Sequence, residues 1–152
     1  MLGLYIRVDR EDNFGTTLKR AFEIIFKHMD PSFSCLPSDY ECIDSEDNVQ
    51  LPGLMSTQQV KSLVCDEENI LICGRFFLYP RGATTKPMDS FDKFFSSSCH
   101  TIILVYDVVE IEVYSKESGY LEQCRKDLGC LKGCVNVEEI QADSCFRDDF
   151  VI

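Results

Sequence analysis

Three cysteines fall within CRKDLGCLKGC, at Cys124, Cys130 and Cys134, beside Arg125, Lys126 and Lys132. Thiolates bind zinc and act as nucleophiles, and nearby cations lower a thiol pKa. The spacing argues against both uses. The cysteines stand six and four residues apart, and the chain contains no CxxC pair of the kind that builds zinc knuckles. Cys124 falls on the apolar face of an expected helix, Cys130 just past its glycine, and Cys134 near the following strand. In such places free cysteine behaves as a small hydrophobe, and the basic neighbours suit the negative end of the helix dipole. These thiols are read as core and cap.

A nucleophile at Cys99, in SSSCH, needs a base. His100 is adjacent in sequence and points to the opposite face of an extended chain. His28, the only other histidine, sits where a cation is favoured at a helix C-terminus. A triad of Cys99, His28 and Asp107 is conceivable, but no spacing singles it out. Asp9, Glu11 and Asp12 after the first strand, with Asp44, Glu46 and Asp47 further on, form a second set. Carboxylates near strand ends can bind magnesium or work as acid and base, and Asp9, Glu11 and Asp12 are kept as candidate binding residues, although the spacing fits no calcium loop. The third candidate is YPRGATTKP, where Tyr79, Arg81 and Lys86 offer a surface for an anionic group or a partner. Phosphate loops, dinucleotide fingerprints and nucleophile elbows are absent. No cofactor and no metal is expected.

The totals narrow the class. The 152 residues suffice for one domain with its own core, and 45% hydrophobic and 27% charged content is that of a globular protein. The longest apolar run, TIILVYDVV, is far too short to cross a bilayer, and MLGLYIRVDRED lacks the pattern of a secretory signal. Nine cysteines is an odd set, better suited to reduced thiols than to a disulfide scaffold. A cytoplasmic location follows as the expectation. The net charge of −11 repels nucleic acid and anionic membranes and permits a basic protein partner.

Hydrophobic periodicity supplies the elements. LGLYIRV predicts a strand with Leu2, Leu4, Ile6 and Val8 on one face. From Asn13 to about Met29 the residues Phe14, Leu18, Ala21, Phe22, Ile25, Phe26 and Met29 form one helical stripe, capped by Asp12 or Asn13 and ended at Asp30-Pro31. SFSCLPSDYECID predicts a hairpin turning at Ser38-Asp39, which would set Cys35 opposite Cys42. Ser56 and Gln59 form a capping box before Val60, Leu63 and Val64. NILICGRFFLYP and TIILVYD are apolar on both faces, as interior strands are. A short helix at DSFDKFF is capped by Asp89 or Ser90. In VVEIEVYSK, Glu110 and Glu112 face solvent, and Asp107-Val108 before it is either a turn or a bulge. The last helix runs from about Glu117 to Leu128 with Gly129 as a left-handed cap, CVNVEEI is a strand, and DSCFRDDFVI can add another. The order predicts a single α+β domain over residues 1–152, a mixed and mostly antiparallel sheet carrying about four helices.

LYPRG, SFDKFFSSSC and IILVYDVVEIEVYSK, taken in that order, resemble the second half of a family of small Firmicutes proteins known only as a domain of unknown function. The matching residues are Tyr79-Pro80 with Gly82, Ser90-Phe91 with Phe94 or Phe95, Ser98-Cys99, and Asp107 leading into Val109, Ile111, Val113, Tyr114 and Lys116. The resemblance implies a bacterial, cytoplasmic, single-domain protein and supplies no catalytic residue. The expected function is therefore non-enzymatic binding by protein contact, for example an acidic inhibitor of immunity type. The alternatives are a small enzyme using Cys99 or a carboxylate-bound metal, and a ligand sensor using the loop from Tyr79 to Pro87.

Overall fold

A computed structural model describes residues 1–9, 15–44 and 47–141. Its elements are β1 (Gly3–Val8), α1 (Thr16–Lys27), β2 (Ser34–Ile43), β3 (Met55–Ser56), α2 (Thr57–Val64), β4 (Ile70–Tyr79), α3 (Phe91–Ser96), β5 (Thr101–Tyr106), β6 (Glu110–Ser115), α4 (Ser118–Gly129) and β7 (Cys134–Ile140). The seven strands form one sheet in the order β3-β2-β4-β5-β6-β1-β7, and each of these pairings is antiparallel. The expected α+β architecture with four helices is what forms.

The apolar stripe of α1 explains its place. Leu18, Ala21, Phe22, Ile25 and Phe26 are all buried, and they share one core with Val60 and Val64 of α2 and with Tyr120, Leu121, Cys124 and Leu128 of α4. That core lies against Leu4, Ile6, Val8, Phe76, Leu78, Ile103, Val105, Ile111 and Val113 of the sheet. The other face carries a second cluster, in which Phe94 of α3 and Met88 cover Phe77, Tyr79, Ile102, Leu104 and Tyr114. Strands β4 and β5 are thus covered on both sides, as their doubly apolar sequences require. Helix α1 begins after Gly15, which has φ 84 and makes no side-chain cap. The expected start at Asn13 and Phe14, with Asp12 or Asn13 as cap, lies outside the described residues. The capping box of α2 forms in full: Ser56 Oγ accepts from Gln59 N–H and Gln59 Oε1 accepts from Ser56 N–H.

Three expectations need correction. Residues 34–43 are one strand, not a hairpin. Asp39 takes φ 44, and the register against β4 shifts between Ser38 and Glu41, so the turn-like residues make a bulge. Cys35 pairs with Leu78 and Cys42 with Leu71. Seven residues along one strand set these thiols roughly 20 Å apart, too far for a disulfide. Gly129 is the last residue of α4 rather than a left-handed cap, and the glycine with positive φ is Gly133, at φ 90. Glu112 is not solvent-facing: it is 5% exposed and accepts a hydrogen bond of 2.8 Å from Tyr114 Oη. Its strand lies inside the sheet, and the second core layer buries much of the face expected to be open. A final strand within DSCFRDDFVI lies outside the described residues.

Asp107 and Val108 make a turn. Both have positive φ, 47 and 65, and Val109 N–H donates to Tyr106 O at 3.2 Å. Positive φ at both central residues is what a type I′ turn demands, and glycine or asparagine usually supplies it. A β-branched residue there is strained by roughly 1–3 kcal/mol. Replacing Val108 with glycine should therefore raise the unfolding free energy by about 1 kcal/mol after the loss of valine packing. Urea denaturation checks this, the sign of the change being decisive.

Candidate functional site

Antiparallel pairing decides which loops meet. Strands β1, β2 and β5 run one way and β4, β6 and β7 the other, so one end of the sheet gathers the exits of the first three and the entries of the others. Asp9 follows β1, Asp44 and Asp47 follow β2, Asp66, Glu67 and Glu68 precede β4, Asp107 lies in the strained turn and Glu110 opens β6 after it. All are exposed except the half-buried Glu110. Cations are fewer here. Arg7 and Lys132 are exposed, and Lys19 at the start of α1 donates its ammonium to Glu67 O at 3.1 Å.

A cleft of ≈ 370 Å³ opens at this end, lined by Arg7, Val8, Asp9, Asp107, Val109, Glu110 and Val135. Its frame is backbone. Val8 N–H donates to Val109 O and Asp9 N–H to Gly133 O, each at 2.8 Å, and Val108 N–H donates to Ile72 O at 3.0 Å. These bonds lock the end of β1 to the β5–β6 turn and to the entry of β7. Tyr5 is held against Glu110, and burial together with that hydrogen bond raises its phenol pKa. Three carboxylates and one guanidinium, Arg7 opposite Glu110, leave the lining with an excess of negative charge over an aliphatic floor. Among the described residues no group of three or more side chains is placed to hold a metal ion.

The other candidates separate. Of the acidic set, Asp9 lines the cleft, whereas Glu11, Asp12 and Glu46 lie outside the described residues. Tyr79, Arg81 and Lys86 lie at the opposite end of the sheet. Tyr79 is buried rather than surface-forming, and its hydroxyl donates to Lys86 O and accepts from Lys86 N–H at 3.3 Å. It staples the loop from inside, while Arg81 and Lys86 remain exposed.

Among the described residues Cys35, Cys42, Cys99 and Cys124 are buried. Cys99 is fully buried, its Sγ lies 3.4 Å from both Leu78 O and Thr101 O, and burial pushes its pKa up to about 12. No imidazole is aimed at it. His28 Nε2 lies 2.9 Å from Asp127 Oδ2, joining the end of α1 to α4, and His100 packs edge-on against Phe33 with Nδ1 2.9 Å from Thr101 Oγ1. Asp107 sits at the far end of β5 from Cys99. The conceivable triad is not assembled. Cys124 is buried beside Tyr120, with its pKa raised to about 12 by burial, and Arg125 pairs with Glu139 at 2.6 Å instead of serving a thiol. Cys130 is exposed and Cys134 half-buried.

Among the described residues no helix is long and apolar enough to cross a membrane. No curated protein and no solved structure matches the chain. A family model does: it matches residues 12–151, nearly the whole molecule, and the chain belongs to that family, the proteins of unknown function DUF2691.

Proposed function

We propose that the protein is a non-enzymatic binding protein that docks a basic partner protein on the acidic end of its sheet, in the manner of an acidic inhibitor or immunity protein. One observation carries this reading: strand order collects Asp9, Asp44, Asp47, Asp66, Glu67, Glu68, Asp107 and Glu110 at one end of the sheet, where Asp9, Asp107 and Glu110 line a cleft framed by backbone hydrogen bonds. Opposite charge speeds encounter and fixes orientation, and the partner's working surface is then covered. The net charge of −11 makes nucleic acid and anionic membranes unfavourable partners. The eight cysteines within the described residues are free thiols, which suits a reducing cytoplasm, in keeping with a Firmicutes origin.

Native mass spectrometry on the protein drawn gently from its host cells is the test. The expected result is a stoichiometric complex with a second, basic protein. In that complex Asp9→Asn with Asp107→Asn should slow association about tenfold at low ionic strength and much less at about 0.5 M salt, since screening removes steering. A bare chain, a small-molecule adduct, or association indifferent to both substitutions and salt would overturn the reading.

A further inference from the structure

Helices α2 and α4 begin differently. At α2 the cap is local, since the side chain of Gln59 returns to Ser56 N–H. At α4 the N-cap residue Glu117 makes no side-chain cap. Three residues on stands Tyr120, whose hydroxyl donates to Ile25 O at 3.1 Å, and the bond from Leu121 N–H to Glu117 O is long at 3.4 Å. Glu117 N–H is held instead by Ser115 Oγ at 3.2 Å.

That oxygen is one member of a chain. Ser115 Oγ lies 3.1 Å from Thr101 Oγ1, which lies 2.9 Å from His100 Nδ1. The other ring nitrogen, Nε2, faces the Glu117 carboxylate at 3.7 Å, so the chain leaves Glu117 by its backbone and returns to its side chain. Thr101 is 1% exposed and Ser115 4%, and a buried hydroxyl that loses its partner is costly. Phe33 sets the ring edge-on, at 4.9 Å between centroids.

One order of donors and acceptors satisfies the neutral ring. A lone pair on Nε2 would face the carboxylate, so the hydrogen belongs on Nε2 and Nδ1 accepts. Thr101 O–H then donates to Nδ1, Ser115 O–H to Thr101 Oγ1, and Glu117 N–H to Ser115 Oγ. A protonated ring carries hydrogen on both nitrogens, and Nδ1–H needs Thr101 Oγ1 as its acceptor. Thr101 O–H must then turn to Ser115 Oγ and displace the Ser115 hydrogen. We propose that this hydroxyl chain is a pH-sensitive latch: protonation of His100 reverses it and loosens the hold of Ser115 on Glu117 at the start of α4.

The surroundings of the ring decide when the latch works. Burial opposes the imidazolium most; Glu117 before α4 favours it, Lys116 after β6 opposes it and Asp30 after α1 favours it. Burial wins because the Glu117 side chain is 64% exposed and solvent screens its pull. The ring's pKa is therefore lowered from 6.5. An unfolded chain takes up this proton before a folded one does. The latch thus stabilises the fold above pH 6.5, and its contribution is lost as pH falls through the lowered value.

Nuclear magnetic resonance on the whole chain is the test, His28 being the only other histidine. At about pH 7.5 the neutral His100 ring should carry its hydrogen on Nε2. On acidification the ring should titrate below 6.5, the Glu117 amide signal should move with the same midpoint, and the Leu121 amide should lose exchange protection at least about threefold. Thr101→Val keeps the shape and removes the hydroxyl, so the Glu117 amide should follow the ring several-fold less, as it should in Ser115→Ala. Glu117→Gln should lower the ring's midpoint further and leave the amide coupled to it. Hydrogen on Nδ1 in the neutral ring, a Glu117 amide indifferent to the ring, or unchanged protection of Leu121 would overturn the latch. Coupling that survives both hydroxyl substitutions would overturn it too, leaving only the direct field of the ring.

Discussion

Replacing Phe22 with alanine should lower the unfolding free energy by about 3–5 kcal/mol, and the melting temperature by roughly 10–15 °C for a chain of this size. Phe22 is fully buried at the centre of the α1 stripe. Its ring meets Phe26 at 5.8 Å between centroids and Phe76 edge-on at 5.9 Å, so one side chain joins the helix to the middle of the sheet. Truncation removes the burial and both ring contacts and leaves a cavity that strand β4, paired on both sides, cannot close. Differential scanning calorimetry reads the loss. A drop under about 1 kcal/mol would mean that the core around α1 is loosely packed.

The second large effect is expected at Gly3. A Cβ built there would lie 2.5 Å from Val113 O and 2.8 Å from Tyr114 Cδ1, on the strand paired directly with β1. The oxygen belongs to a backbone held between β5 and β1 and cannot withdraw. Gly3→Ala should therefore cost about 3 kcal/mol or more, at the upper end of overpacking effects. Gly119, in the first turn of α4 with nothing within 4 Å of its virtual Cβ, is the control. Alanine there should stabilise by roughly 0.5–1 kcal/mol, because the unfolded chain loses freedom and the helix gains a better former. Equilibrium unfolding of the two variants under one condition checks both signs.

What the sequence made legible was local. The stripe from Leu18 to Met29, the Ser56 and Gln59 capping box and the doubly apolar strands each carry their cause within a few residues. The errors arose where a local signal has two outcomes. Pro37-Ser38-Asp39 has the chemistry of a turn, yet a bulge with one residue at positive φ uses the same chemistry, and only the distant β4 decides between them. Gly129 closes the last helix and Gly133 follows it, and which of them takes positive φ depends on how the chain enters β7. The burial of Glu112 depends on layers contributed by residues far away in sequence.

The candidate site followed the same division. Asp9 could be singled out as a carboxylate at a strand end, but Asp107 and Glu110 join it only because β6 lies beside β1. Arg81 and Lys86 follow the opposite end of β4 and are not brought to that cleft. No property of the loop from Tyr79 to Pro87 showed that the Tyr79 hydroxyl would turn inward to hold Lys86.

The position of β1 between β6 and β7 bears on how the molecule is made. Strand β1 leaves the ribosome well before both of its partners, at residues 110–115 and 134–140. At translation rates of roughly 5–20 residues per second, it waits on the order of ten seconds for a neighbour. Through that interval the apolar face of α1 also lacks the sheet that will bury it. Holding these early segments out of wrong associations falls to whatever attends the nascent chain, and β1, made before the strands on either side of it, is among the last to be placed.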